Sequence, residues 1–529
     1  MSYNLLDEPW IPVLLRDGTA ADLSLRDCFT RAGDVRRING DLPTQGFAIL
    51  RVLLAICHDA IGFHSLADTK QLLRTGLDTA RVLAYLDDYA DRFDLFHPER
   101  PFMQVADLRT AKGEVAGLEK LISDVPNGTP FLTVRTGRGL ERISAAEAAR
   151  WLIHVHAFDP SGIRSAAVGD PETKGGKGYP IGPGWAGQIG GLIYHGDSLA
   201  QTLAFNIVPT ERNDADRPVW AHEKPQTEQR QLEPRPNGPV ELLVWQTRRV
   251  RLVGDRDGVT GVVLAQGDRM TPQNRHDLEP MTGWRYSKPQ SAKLKMAVYM
   301  PQKHDPTRAF WRGLPAQLPS QPGDVDGNEA TMRSRVAEHL SQVEDLLPAA
   351  LEQVRLEAVG IDYGPQEATV AELVNDAVDL RVSMLGPDAG AVAVMIQDSV
   401  RTADTCVWAL GRMASNVAAS AGDFDGLEGA AERARLQAWA ALDEVAPRWI
   451  AQLTSSSDTI AEGRAWQELV RSTLEPIADA VADAAPPAAY AGRNTRNGFM
   501  TVGKAEGFFR HALRKELPLA YPTKKEESA

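Results

Sequence analysis

The chain has 529 residues, 43% of them hydrophobic and 24% charged, with a formal net charge of −12. That length exceeds one ordinary domain, and the composition is that of a globular protein able to bury its own core. The acidic surplus excludes a protein that coats nucleic acid over its whole surface, because phosphate affinity comes from Lys and Arg displacing counterions.

Leu5 to Leu15 and Ala21 to Leu25 read as short strands around an Asp17-Gly18 turn, and Pro43-Thr44 opens a helix through Ile61 with Thr44 as N-cap. The longest apolar stretch, Phe47 to Cys57, is interrupted by Arg51 and is too short to span a bilayer. Ser144 to Glu147 has capping-box spacing ahead of a helix over Ala148 to Ala157. From Gly162 to Gly191 glycine and proline are dense enough to predict no regular element.

Strands are predicted again at Val240 to Val253 and Val259 to Ala265, joined by an Asp255–Gly258 turn, and at Lys293 to Met300. Beyond about Asn328 the pattern turns helical, and beyond Pro387 almost purely so, with amphipathic stretches at 391–419, 428–453, 459–484 and 501–515. These predict an α+β protein: a mixed α/β N-terminal domain over 1–386 and an up-and-down four-helix bundle over 387–529. Trp408, Trp439, Trp449 and Trp466 fall in the bundle and read as packing residues.

Chemistry-bearing motifs are sparse. Gly176-Lys177 is followed by Gly178, not Ser or Thr, so no phosphate loop is formed, and neither GxSxG nor HExxH occurs. His58-Asp59 and His276-Asp277 are isolated pairs, and His154 and His156, two apart on a helix, point to different sides. Cys28, Cys57 and Cys406 lie far apart, which excludes a disulfide framework or cysteine-held zinc and suits a reducing cytoplasm. The N-terminus lacks a basic segment followed by an apolar one, so no signal peptide is read. The expectation is a cytoplasmic protein that is not an enzyme, with no metal and no cofactor.

One stretch departs from the acidic background. Arg285, Lys288, Lys293, Lys295, Lys303, Arg308 and Arg312 are interleaved with Trp284, Tyr286, Tyr299, Phe310 and Trp311, a mixture suited to phosphate contact and base packing. A solvated strand face reads equally well. A further basic patch, from Arg493 to Lys515, falls on the last helix and the loop before it.

NLLDEPWIPV at Asn4 to Val13, RPFMQ at Arg100 to Gln104 and LEKLI at Leu118 to Ile122 resemble the opening signatures of the CasA family. That family is the large subunit of the type I-E CRISPR Cascade surveillance complex. The resemblance continues through the glycine-rich stretch, Thr282-Gly283-Trp284 and Tyr363-Gly364-Pro365-Gln366 to a helical C-terminus. It implies recognition of the protospacer-adjacent motif (PAM) in double-stranded target DNA, duplex opening for guide RNA pairing, and docking of a helicase–nuclease. By resemblance, a glycine loop falls within Lys174, Gly175, Gly176, Lys177 and Gly178, a lysine finger at Lys288, and a glutamine wedge at Gln366. A loop toward the guide crRNA 5′ handle resembles the stretch with Phe131, Arg135 and Arg138. The implied partners are target DNA, crRNA, the other Cascade subunits and the recruited nuclease. The alternative reading is a scaffold that contacts RNA and protein without reading DNA.

Overall fold

The computed structural model describes residues 2–110, 112–125, 133, 135, 137–222, 234–319, 331–344, 347, 352–496 and 498–521. The chain divides into two compact units, Met1–Phe310 with Val325–Ala377, and Trp311–Asp324 with Val378–Ala529. The sequence pattern draws the division after residue 386. The second unit takes in Val378 onward and an earlier excursion of the chain.

In the N-terminal unit, β1 (Ile11–Leu15) lies between β2 (Ala20–Leu23) and β3 (Val35–Ile38) in an antiparallel sheet. The predicted strand from Leu5 thus begins only at Ile11. A 19-residue helix, Pro43–Ile61, follows and buries nearly all of its length. By length and composition it could cross a membrane, unlike the shorter apolar run read from sequence. Here it is a core helix. Its Arg51 is buried and held by both oxygens of buried Glu279 at 2.9 Å, which meets the rule that a buried charge must be paired and hydrogen-bonded. Thr44 is not the N-cap; Leu42 is, and the Thr44 hydroxyl lies 2.9 Å from His154 Nε2 on the neighbouring Ala145–Phe158 helix. Ser144 caps that helix as expected, accepting from the Glu147 amide.

The glycine-rich stretch is not featureless. It holds β4 (Arg164–Ser165) paired with β5 (Lys177–Gly178), a 3-10 turn at Trp185–Gln188, and the start of β6 (Gly191–His195). The hairpin β7 (Arg248–Asp255) and β8 (Gly258–Gln266) matches the predicted turn. Val240 to Leu243, however, is a short helix, Pro239–Leu243, not strand. Its free amides at Val240 and Glu241 donate to the Asp216 carboxylate at 3.1 and 2.8 Å, a cap from 24 residues away that a local pattern cannot reveal. Likewise Lys293 to Met300 is strand only at β10 (Tyr299–Pro301), which pairs with β9 (Trp284–Tyr286). Between them Lys288–Leu294 is helical, with Pro289 pre-setting the first turn. Finally β11 (Gln353–Tyr363) lies between β6 and β12 (Val370–Arg381), two long strands where the sequence pattern from about Asn328 reads as helical; pairing with the distant β6 decides them.

The C-terminal unit contains, among the described residues, four helices of 15 residues or more: Gly390–Ala421, Leu427–Ile450, Thr459–Asp483 and Val502–Glu516. The α+β class holds. Trp466 is buried against Trp449 and Trp311, with centroid distances of 4.6 and 5.7 Å, and its indole donates to the Ser399 carbonyl. Trp408 departs from the packing reading: it is 57% exposed, with the Arg435 guanidinium 4.5 Å over its ring.

Candidate nucleic-acid interface

The segment Lys174 to Gly178 is a two-residue hairpin loop. Lys174 N–H donates to the Lys177 carbonyl at 2.9 Å and Lys177 N–H returns to Lys174 at 3.2 Å. Gly175 and Gly176 between them have φ of 60° and 74°. Positive φ at both central residues is what a turn matched to strand twist demands, and glycine meets it without strain. A Cβ on either glycine would meet nothing within 4 Å. Lys174, Gly175, Gly176 and Lys177 are exposed, and Gly178 is buried. The loop therefore offers bare backbone flanked by two lysines to a ligand outside.

Gln366 lies at the tip of the connection from β11 to β12, in the 3-10 turn Pro365–Glu367, and is exposed. No helix starts near Ala368; the chain passes from a strained turn straight into β12. Gln366 has φ 59° and ψ 17°, and Glu367 has φ 56°. Two consecutive left-handed residues that are not glycine cost about 1–2 kcal/mol each, and such strain persists only where the surroundings hold it. Those surroundings are visible. Gly364 N–H donates to the Thr369 carbonyl and Glu367 N–H to Gly364, each at 2.9 Å. Tyr363 is buried and its hydroxyl donates to the Phe158 carbonyl at 2.6 Å. Gly187 must lack a Cβ because the Tyr363 ring occupies that space. Glu367 pairs with Lys303 at 3.2 Å.

The hairpin and the turn share one support, residues 159 to 164. Ser161 N–H donates to the Glu367 carbonyl at 2.8 Å. Three residues on, β4 carries the glycine hairpin, with Arg164 opposite Gly178. The segment is fixed from beneath by buried Asp159, whose Oδ2 accepts from Arg164 and Arg248 at 2.5 Å each. Arg248, wholly buried, also donates to the carbonyls of Asp159, Pro160 and Gly182. Burial alone would push the Asp159 carboxyl up, but the two guanidiniums together hold it below the usual carboxylate range. Burial lowers Arg248 in turn, against the pull of Asp159.

Lys288 is the first residue of the Lys288–Leu294 helix and is exposed. Cations are disfavoured at a helix N-terminus, so helix stability does not account for this lysine. The β9–β10 register sets Pro301 opposite Trp284 and Tyr299 opposite Tyr286. Lys303 and its partner Glu367 therefore lie beyond one end of the ribbon, and Lys288 beyond the other. The level of Lys303 falls near Thr282, six residues before Lys288, so the chain between them spans at most about 20 Å. The glycine hairpin and the Gln366 turn are thus joined through the 159–164 segment, whereas Lys288 stands apart along the ribbon.

The rest of the basic stretch splits. Arg285, Lys293, Lys295, Lys303 and Arg308 are exposed. The aromatic residues Trp284, Phe310 and Trp311 are buried core, and Arg312 is buried over the Trp439 ring at 4.1 Å. Tyr286 and Tyr299 are half-buried, their rings 5.8 Å apart, so accessible aromatic faces among the cations are confined to these two. Of the handle-loop residues, Phe131 lies outside the described residues. Arg135 is largely covered, paired with Glu147 at 2.7 Å and Asp124 at 3.8 Å. Arg138 opens the one-turn helix Arg138–Glu141.

The family model for CRISPR-associated protein Cse1 (CRISPR_cse1) matches residues 4–476. The chain belongs to that family. It is similar to the CRISPR-associated protein CasA/Cse1 of Thermus thermophilus, 31% identical over 333 residues, an alignment that spans 61% of this chain and 61% of that relative's length. The crystal structure of Thermobifida fusca Cse1 matches with a TM-score of 0.90 at 40% identity, covering 98% of this chain and 99% of the other. A chain of a CRISPR RNA-guided surveillance complex shares the fold at TM-score 0.73 and 21% identity, over 97% of this chain and 99% of that one.

In this Cse1 chain the residues that sequence reasoning missed are the supports: Ser161, Asp159, Arg164, Arg248 and Glu367, the partner of Lys303. Arg248 sits in the run Arg248-Arg249-Val250-Arg251 of the strand predicted over Val240 to Val253. Only the fold reveals that its side chain is turned inward. Among the described residues no group of three or more His, Cys, Asp or Glu is arranged to hold a metal. His154 and His156 are buried and bonded to different partners, His154 to Thr44 and Ser123 and His156 to the Met103 carbonyl.

Proposed function

We propose that this Cse1 chain is the large, non-enzymatic subunit of a cytoplasmic type I-E Cascade complex, and that it reads the PAM in double-stranded target DNA and helps open the duplex. The observation that carries this reading is the turn at Gln366. Two adjacent non-glycine residues in left-handed backbone, clamped by Tyr363, Thr369 and Ser161, hold one exposed amide side chain at a tip. Strain of that kind points to a role beyond folding.

The roles follow from chemistry. The hairpin at Lys174–Gly178 presents backbone without side chains, which can approach a narrow minor groove closely. Lys288 is a flexible point charge for groove acceptors or phosphate. The Gln366 turn is a stiff wedge at the first base step to open, where unstacking costs a few kcal/mol that motif binding and guide pairing offset. Sequence is then read by guide–target pairing, so few protein contacts are needed, and a chain of net charge −12 can serve. The crRNA handle is assigned to the Phe131, Arg135 and Arg138 loop; Arg135 must leave its acidic partners to take part. The other Cascade subunits and a recruited helicase–nuclease complete the partners.

The acidic balance favours one other reading, a scaffold touching only guide RNA and protein. The test measures binding of reconstituted complex to closed and to pre-opened target duplex. PAM reading expects Lys288→Ala and Gln366→Ala to assemble normally, bind closed target at least ten-fold more weakly, and bind pre-opened target nearly as wild type. Equal behaviour on both duplexes favours the scaffold.

A further inference from the structure

A cavity of about 210 Å³ opens beside the Gln366 turn, within the N-terminal unit. Its walls include Leu121, Pro160, Ile163, Arg164, Ala368 and Val370. Ala368 and Val370 lie two and four residues beyond Gln366, and Arg164 pairs in β4 opposite Gly178. The cavity therefore sits beside the residues that follow the wedge turn and the strand that pairs with the glycine hairpin. At ~30 Å³ per water it has room for about seven waters, the scale of one planar heterocycle and far short of a base pair.

The lining is mixed in the way such a ligand requires. Leu121, Pro160, Ile163 and Val370 offer apolar faces, and Ile163 is 55% exposed. Ser123, Ser161 and Arg164 add polar groups to the wall, with the Arg164 guanidinium held by Asp159 and the Pro160 carbonyl.

We infer that this cavity receives one nucleobase unstacked at the Gln366 wedge, storing it outside the helix while guide pairing begins. The inference rests on the duplex-opening reading above and adds a destination for the base that the wedge displaces. A pocket for the extruded base lowers the cost of opening, since a base held against apolar walls with its edge bonded loses less than one left in water.

The experiment follows opening of closed, PAM-bearing duplex by reconstituted complex, with 2-aminopurine at the first position beyond the motif. Ala368→Phe fills the cavity, and Ile163→Trp, at an exposed position, narrows it without touching the core. Each is expected to slow opening at least ten-fold with assembly intact, and an abasic sugar at the displaced position is expected to restore the rate to within about two-fold. The strand whose abasic sugar rescues identifies the base. Opening at the wild-type rate in both variants, or slowing that no abasic sugar relieves, overturns the inference. Lys288→Ala and Gln366→Ala are run alongside. If they too behave as wild type, the PAM reading itself fails; if they are defective while the cavity variants are not, only the cavity inference falls.

Discussion

The backbone amide of Ser161 donates to the carbonyl of Glu367 at 2.8 Å, and that single bond ties the turn carrying Gln366 to the loop that leads into the glycine hairpin. The turn is held in a conformation its residues resist. Relaxing it should therefore stabilise the fold while blunting the tip.

Gln366→Gly tests the strain directly. The left-handed cost of about 1–2 kcal/mol disappears, against about 0.5–1 kcal/mol for the freedom glycine adds to the unfolded chain. The expected outcome is a melting temperature equal to or slightly above wild type. Gln366→Val, β-branched and ill-suited to positive φ, should lower it. A lower melting temperature for the glycine variant than for the valine one would show that the turn is unstrained.

Asp159 is the charge that Arg164 and Arg248 are built around. Asp159→Asn leaves a wholly buried guanidinium without its counter-charge, and breaking a buried pair from one side costs about 3–5 kcal/mol. Urea unfolding followed by tryptophan fluorescence should show a clear drop in midpoint. Arg164→Gln, at a partner with 14% side-chain exposure, should cost less than Arg248→Gln, whose side chain is fully buried. The reverse order would mean the hub is anchored from the hairpin side.

Acid should weaken the N-terminal unit in a defined window. Burial pulls His154 down to about 3 and both His58 and His156 down to about 4, from an ordinary 6.5. Between pH 6.5 and 4 the unfolded chain takes up protons at these sites and the folded chain does not. Stability from these groups is thus fully present above pH 6.5 and is lost as pH falls toward the folded values, at about 1.4 kcal/mol per pH unit for each proton. The urea midpoint should be flat above pH 6.5 and decline below it. His154→Gln, which keeps a polar group between Thr44 and Ser123, should make that decline shallower; an unchanged slope would assign the acid sensitivity elsewhere.

The bundle helices were legible because a 3.6-residue period sustained over 15 to 32 residues outweighs local noise. The hairpin at Asp255 to Gly258 was legible because its turn chemistry is local. What failed was decided at a distance. Asp216 caps the Pro239–Leu243 helix from outside it, and Pro289 turns a strand-like basic run into helix at Lys288. The candidate site divides the same way: Gly175 and Gly176 announce a turn in sequence, but the left-handed state of Gln366 depends on Tyr363 reaching Phe158 across 205 residues.

The glycine hairpin allows its two possible roles to be separated. Gly175 and Gly176 serve the turn through positive φ alone, since a Cβ on either meets open space. Asn is the other residue that tolerates this conformation and is favoured first in such a turn. Gly175→Asn should therefore melt close to wild type, whereas Gly175→Val should lose about 1–2 kcal/mol to backbone strain. If the bare backbone also serves close approach to a minor groove, the Asn side chain will stand between protein and ligand. The asparagine variant should then bind closed, PAM-bearing duplex several-fold more weakly despite its intact fold, with pre-opened target less affected. Wild-type binding by that variant would leave the two glycines a purely local task, and the hairpin would drop out of the proposed interface while the Gln366 turn remained in it.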